Sequence, residues 1–264
     1  NTFYITPELA LLIGNVFSYL VSPKTRLVLH LKSKRQIAPN AYEFLFAPSR
    51  QMAFAPGQYM EWTLGHEDPD SRGNRRYFTL ASAPTEPDLR VGVRFSNPSS
   101  SFKQAMLAMD RRSEIVASQV AGDFVLPQDP SQTCVFIAGG IGVTPFRSMI
   151  KYLLDMHQRR PIVLFYANHT VKDIVYKDVF DRAQQELGIS TIYLVSDTSG
   201  LPGGWVGLVG RITPQTIRKY APFYRGAIFY ISGPIGMINT FRDTLHQMGI
   251  PDGQIKVDFF AGLA

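Results

Sequence analysis

Residues 135–146 read Val135-Phe136-Ile137-Ala138-Gly139-Gly140-Ile141-Gly142-Val143-Thr144-Pro145-Phe146. The unbroken apolar start has no polar alternation, the pattern of a strand covered on both faces. Glycines then interrupt it, and Thr144-Pro145 opens a helix, where proline at the first position sacrifices no hydrogen bond. Glycine lets a backbone approach a ligand closely. A helix N-terminus adds unpaired N–H groups and the positive end of a dipole, which favour an anion such as a pyrophosphate. The spacing is not Gly-x-Gly-x-x-Gly, because Pro145 stands where the third glycine would be. No acidic residue ends the next strand either, where Asn168 and His169 follow Ala167;. Alone, the segment reads as an anion site at a strand–helix crevice or as a purely structural turn.

Downstream, the rhythm of this segment repeats. Residues 134–138, 162–166, 192–195, 227–231 and 255–257 read as strands, and helical stretches begin near Pro145, Lys172, Pro214 and Pro234. Such alternation predicts a parallel, Rossmann-like sheet with helices on both faces. Upstream, short segments at 27–32, 43–46, 59–64, 76–81, 89–95 and 114–118 are separated by Pro, Gly, Asp and Asn, which predicts a six-stranded antiparallel barrel;. A helix at 102–107, preceded by capping serines, interrupts it. The boundary near Gln128 gives a β-barrel domain over 26–128 and an α/β domain over 129–264.

The first 25 residues stand apart. Residues 9–21 are mostly apolar, begun by Pro7-Glu8, ended by Ser22-Pro23 and followed by Lys24 and Arg26;. Thirteen residues are fewer than the roughly 20 that span a bilayer. Two readings stay open: the last turns of a membrane helix with a basic cytoplasmic flank, or an amphipathic helix packed on the body or on another subunit. No small-residue site marks a cleaved signal peptide.

Composition narrows the chemistry. The single cysteine, Cys134, allows no intrachain disulfide, no in-chain iron–sulfur cluster and no cysteine-based zinc site;. Its apolar surroundings predict a buried core residue. None of the five histidines pairs at metal-ligand spacing, and no Gly-x-Ser-x-Gly elbow marks a hydrolase;. The net charge of +6 suits an acidic partner or an anionic membrane face, but it is too diffuse to argue for nucleic acid;.

A second informative stretch is Arg75-Arg76-Tyr77-Phe78-Thr79-Leu80-Ala81-Ser82. On a strand, Arg76 and Phe78 point one way and Tyr77 and Thr79 the other. An arginine can neutralise phosphate and an aromatic can lie along a flat ring. An amphipathic edge strand is the plainer alternative. Asp68, Asp70, Arg72 and Arg75 read as a solvated loop or as part of an acceptor docking surface.

Taken together, these motifs resemble the ferredoxin–NADP reductase superfamily. Arg76-Tyr77-Phe78-Thr79 is similar to that family's Arg-x-Tyr-Ser flavin motif, with Phe78 for Tyr and Thr79 for Ser. Residues 122–127 resemble its close of the barrel, and 139–145 its nicotinamide-side turn. Ile231-Ser232-Gly233-Pro234 is similar to its Cys-Gly-Pro segment with Ser232 for Cys, and Val257-Asp258-Phe259-Phe260 to its C-terminal Glu-x-Phe with Asp258 for Glu. The motifs stand in the family's order and span residues 76–260.

The resemblance implies an NAD(P)H-dependent reductase with FAD bound on the barrel. It implies that Arg76 pairs with the FAD pyrophosphate, that Tyr77 and Phe78 line the flavin, and that Thr79 hydrogen-bonds near its reactive nitrogen. Arg94 and Ser100 or Ser101, opening the helix, would meet the pyrophosphate, although the family's Gly-x-x-Ser is replaced by Pro98-Ser99-Ser100-Ser101. Gly139, Gly140, Gly142, Thr144, Pro145, Ser232, Gly233 and Pro234 would receive the dinucleotide, and Asp258 and Phe260 would close on the rings. Thr79, Ser232 and Phe260 are the expected catalytic set. A serine can serve for cysteine, because hydride transfer needs ring alignment and no obligatory protein base.

A 2′-phosphate would want a cation after the strand at 192–195. The chain has Ser196-Asp197 there, which favours NADH; Arg211 or His169 folding back would admit NADPH. Electrons would pass to an external acceptor: a ferredoxin or flavodoxin, or a membrane flavin or quinone. The apolar start also resembles the fusion of such reductases to membrane subunits of Rnf-type complexes, which would place the chain on the cytoplasmic side of a membrane rather than free in the cytoplasm. A non-catalytic nucleotide-sensing subunit is the alternative class.

Overall fold

The computed structural model describes Thr6 and residues 26–258. The apolar run at 9–21 and Phe260 lie outside the described residues. Strands β1 (Leu27–Ala38), β2 (Ala41–Pro48), β3 (Tyr59–Thr63), β4 (Arg75–Thr79), β5 (Leu89–Arg94) and β6 (Glu114–Ala121) form one six-stranded sheet in the order β4-β3-β6-β1-β2-β5. Every pairing in it is antiparallel. Leu27, Leu29 and Leu31 alternate inward along β1, as a sheet with one wet face requires.

The ends of this sheet meet just past β4. The Ala81 N–H donates to the Arg90 carbonyl at 2.8 Å, and the Arg90 N–H donates to Ser82 Oγ at 3.1 Å. The barrel-like interior is filled by Phe44, Phe46, Trp62, Leu80 and Val91. Helix α1 (Ser101–Ala108) plugs one end with Phe102 and Met106, and the Ser100 side chain caps it by accepting from the Lys103 N–H;.

The second sheet is wholly parallel. It comprises β7 (Cys134–Gly139), β8 (Ile162–Asn168), β9 (Ser190–Val195), β10 (Leu208–Val209), β11 (Ile228–Ser232) and β12 (Ile255–Asp258), ordered β10-β9-β8-β7-β11-β12. All six residues of β7 are buried. Phe136 faces a core with Phe146 of α2 (Thr144–Asp155) and Phe180 of α3 (Lys177–Leu187). Val135 and Ile137 face the opposite core with Ile217 of α4 (Pro214–Tyr220) and Phe241 of α5 (Ile235–Gln247). Cys134 is buried, and burial pushes its thiol up to about 12.

Two local expectations need correction. The helix expected near Lys172 starts at Lys177: residues Val171–Asp173 make a separate 3-10 turn closed by a Thr170/Asp173 capping box, and left-handed Tyr176 (φ 57°) breaks the chain before α3;. The two-residue edge strand β10 has no counterpart in the sequence reading, because two residues carry no periodicity;. Among the described residues no helix is long and apolar enough to cross a membrane, and no three metal-ligating side chains cluster.

Candidate functional site

The carboxyl ends of β7, β11 and β12 point at the barrel where β4 and β5 run past them. Between the two sheets lies a cavity of about 520 Å³. Its barrel wall holds Arg76, Tyr77, Phe78 and Thr79 from β4, and Gly92 to Ser96 from β5 and its extension. Its α/β wall holds Gly139, Gly142, Thr144, Ser232, Gly233, Pro234 and Asp258. Arg94, Ser100 and Lys103 close one end.

The strand alternation expected for β4 is present. Arg75 and Tyr77 are exposed while Arg76 and Phe78 are partly buried. Thr79, on the Tyr77 side, departs from the pattern at 6% exposed because the parallel sheet covers it there. Phe78 packs against Trp62 and Phe102, while the Arg76 guanidinium lies over the Phe102 ring at 5.3 Å. On the opposite wall, the turn after β7 is tight against β11. A methyl group on Gly142 would lie 2.6 Å from the Gly233 backbone, so the approach of these two loops requires glycine.

The walls meet through a polar triad. Thr79 Oγ1 and Ser232 Oγ each donate to Asp258 Oδ2 at 3.2 Å, and all three residues are buried. Burial pushes the Asp258 carboxyl up to about 7, an effect the two hydroxyl donors only partly offset;. Near neutrality this group can therefore hold or release a proton beside both walls.

The other end is cationic. Arg76 is gripped by its own loop: Nη2 donates to both Asp70 carboxylate oxygens at 2.7 Å, and Nη1 to the carbonyls of Arg72, Gly73 and Arg75. The Arg76 hydrogen bond holds the Asp70 carboxyl below its ordinary range. Arg76 Nε is buried without a partner. Lys103 Nζ donates to the Arg94 carbonyl at 2.8 Å; burial, then the charges of Arg72 and Arg76, lower its affinity for a proton. Arg94 pairs with Asp173 at 3.6 Å.

Not every expected residue reaches this cavity. Ser101 turns away: its hydroxyl accepts from the Asp70 N–H at 2.9 Å and lies 3.1 Å from His66 Nε2, so it braces the loop. Gly140 (φ 54°) borders a small adjoining recess with Ala38, Asp173 and Val175, and Pro145 is buried in the first turn of α2. Ser196 and Asp197 follow β9, two strands from β7, where Ser196 Oγ meets His169 Nδ1 at 3.1 Å. They stand outside the cavity at the carboxyl edge of the sheet. Lys103, Gly92 and Arg72 line it although the sequence reading gave them no such place; Lys103, one turn beyond Ser100 in a helix opening beside Arg94, was the findable signal.

These features suit a long ligand with a flat apolar part and an anionic part. The orphaned Arg76 Nε, the cluster of Arg72, Arg94 and Lys103 with the nearest carboxylates already paired, and the aromatic wall of Phe78 fit FAD. The glycine turn ahead of α2 fits the pyrophosphate of an entering dinucleotide.

Comparisons with known proteins bear on the fold and on the parallel-sheet half of the chain. Residues 136–243 match the family described as Oxidoreductase NAD-binding domain. A flavohemoprotein of Bacillus cereus is 26% identical over 80% of this chain and 54% of its own length, so the chain spans about half of that relative. An NAD(P)H-flavin reductase of Vibrio harveyi is 24% identical over 82% of this chain and 90% of the relative. The crystal structure of an Amycolatopsis cytochrome P450 reductase superposes with a TM-score of 0.77 at 21% identity, covering 90% of this chain and 71% of that one.

Proposed function

We propose that this chain is a member of the ferredoxin–NADP reductase superfamily, and that it oxidises NADH through bound FAD and hands the electrons to a separate acceptor. Its cofactors are FAD and a nicotinamide dinucleotide. The observation that carries the reading is the single cavity walled by β4 and β5 on one side and by the ends of β7, β11 and β12 on the other.

FAD, when bound, accepts two electrons from the nicotinamide and can release them singly. The chain's own residues do the rest. Arg76 holds the loop 70–75 in place and offers Nε to the phosphate side, where Arg94, Lys103 and the capped start of α1 add positive potential. Phe78 and Tyr77 give the isoalloxazine its wall. Thr79, Ser232 and Asp258 orient the facing rings and exclude water from between them, and Phe260 is proposed to complete that closure. Thr144, Gly139 and Gly142 receive the dinucleotide, with Gly233 and Pro234 beside its nicotinamide.

NADH is favoured over NADPH by Asp197. A hydrogen bond from the Ser199 backbone, with His169 nearby, holds its carboxyl below the ordinary range, so it stays charged. A fixed negative charge there repels a 2′-phosphate and can accept from a ribose hydroxyl. The acceptor is proposed to be a redox protein, as the cytochrome P450 reductase of similar fold suggests; the net charge of +6 suits an acidic one;.

The test is an anaerobic titration of the FAD-loaded protein with NADH and NADPH. Rapid bleaching of flavin absorbance by NADH is the expected result. Protein that retains no flavin, or flavin that NADH leaves oxidised, would refute the reading.

A further inference from the structure

The two sheets meet along a seam that the cavity chemistry does not use. Arg147, the fourth residue of α2, is 5% exposed. Its Nη1 donates to the Ala81 carbonyl at 2.7 Å and to Glu86 Oε2, and its Nη2 donates to Glu86 Oε1 at 2.9 Å. Its guanidinium also lies 5.5 Å from the Tyr176 ring centroid. Glu86 in turn accepts from the Ala83 N–H at 2.7 Å and sits 3.8 Å from Arg90, which pairs with buried Glu43 at 2.6 Å. Arg147, Glu86, Arg90 and Glu43 thus form a chain of alternating charge that starts at the seam, buried at Arg147 and Glu43, with the exposed Arg35 also pairing with Glu43 at 3.2 Å. Burial alone would push the Glu86 carboxyl up, but Arg147 outweighs that and holds it below its ordinary range.

The next residue repeats the contact: Ser148 Oγ donates to the Ser82 carbonyl at 2.6 Å. Glycines let the sheets close this far. A methyl group on Gly92 would sit 2.9 Å from Thr144 Cγ2 and 3.0 Å from Ile141 Cδ1. One on Gly57 would sit 2.1 Å from the Phe124 carbonyl and 2.5 Å from Met149 Cε.

The bridge also has a position that matters. Ala81 lies two residues beyond Thr79, and Arg147 lies one helical turn beyond Thr144. Each end of the Arg147 contact is therefore a short rigid step from a wall of the cavity. We propose that Arg147, clamped between Glu86 and the Ala81 carbonyl, is a positioning residue that sets the gap across which the nicotinamide and flavin rings face each other. The inference rests on the proposed function for the identity of those rings. A planar fork can bridge one carbonyl and two carboxylate oxygens at once; a lysine, a single point donor, cannot hold that geometry.

The test compares FAD-loaded wild type with Arg147→Lys, Arg147→Met and the double variant Arg147→Met/Glu86→Met. The double variant removes both charges and so avoids leaving one buried and unpaired. In stopped-flow reduction by NADH, the limiting rate falls roughly 10- to 100-fold, because small displacements of reacting atoms are costly. FAD affinity and the apparent KM for NADH stay within about threefold. The long-wavelength charge-transfer absorbance of the NAD⁺-bound reduced protein weakens in parallel, and amide hydrogen exchange quickens at residues 81–83 and 144–150. Arg147→Lys falls between wild type and Arg147→Met.

A folded double variant with unchanged limiting rate and charge-transfer band, whatever its melting temperature, would overturn the proposal by reducing Arg147 to a stabilising contact. If the single variants do not fold, the double variant decides. Wild type that NADH cannot reduce would instead defeat the functional reading, while hydrogen exchange would still report whether Arg147 holds the seam.

Discussion

Thr79 Oγ1 donates to Asp258 Oδ2 at 3.2 Å across 179 residues of sequence, joining the barrel to the last strand of the parallel sheet. The bond places a carboxyl with its affinity for a proton raised to about 7 between the two walls.

Asp258 makes stability depend on pH. Its folded value, about 7, lies above the ordinary 3.8. The folded state therefore holds this proton more tightly than the unfolded chain. Its stabilising contribution is complete below about pH 3.8 and is lost as pH rises towards 7;. Each pKa unit corresponds to about 1.4 kcal/mol, so the swing is on the order of a few kcal/mol. Thermal melts of flavin-free Asp258→Asn from pH 5 to 8 should lose this component of the slope, with the variant gaining on wild type towards pH 8. A slope equal to that of wild type would contradict the assignment.

Thr79→Ala removes one of the two hydroxyl donors to Asp258. The limiting rate of flavin reduction should drop by about tenfold, the scale of one buried hydrogen bond to a charged or partly charged group. Thr79→Ser keeps the donor and should stay within about threefold of wild type. Stopped-flow absorbance with NADH separates the two. A Thr79→Ala rate equal to wild type would remove the residue from the proposed set.

Arg76 grips Asp70 and the loop carbonyls and lines the cavity; its second, proposed task is to meet the FAD phosphates. Arg76→Lys has one nitrogen in place of two and cannot hold Asp70 and the loop carbonyls at once;. Flavin should dissociate at least about tenfold faster from it, and the loop should become more sensitive to protease. Fluorescence of released FAD and limited proteolysis measure the two effects, and unchanged retention of flavin would count against the phosphate role.

Asp197→Ser should raise kcat/KM for NADPH about tenfold while altering that for NADH less, since only the phosphorylated cofactor meets repulsion there. Steady-state kinetics with both cofactors checks this. No gain with NADPH would shift attention to Arg211 and His169.

The outline of both sheets was legible because it is written in local patterns: the apolar run into Gly139 and Gly140, and the inward alternation of Phe78 against Tyr77. The wall residues Thr79, Ser232 and Asp258 were legible through motif order, which brings together strand ends that are far apart in sequence. The cationic end was only half legible. Asp70 reads as a loop charge until β3 and β4 turn it back onto Arg76, and Lys103 reads as the polar face of a helix until Arg94 comes beside it. Arg147 reads as one more helix residue, because its partners Glu86 and Ala81 belong to the other sheet. The start of α3 was misplaced because a capping box at Thr170 imitates a helix start.

The position of Cys134 has a practical corollary. The chain's only thiol sits inside a parallel sheet and is held protonated far beyond neutral pH, so maleimides and mild oxidants should pass it by. One cysteine engineered onto the outer face of each domain would then be the sole pair of attachment points for fluorophores, and the separation of the two domains could be followed during turnover without first removing a native label site.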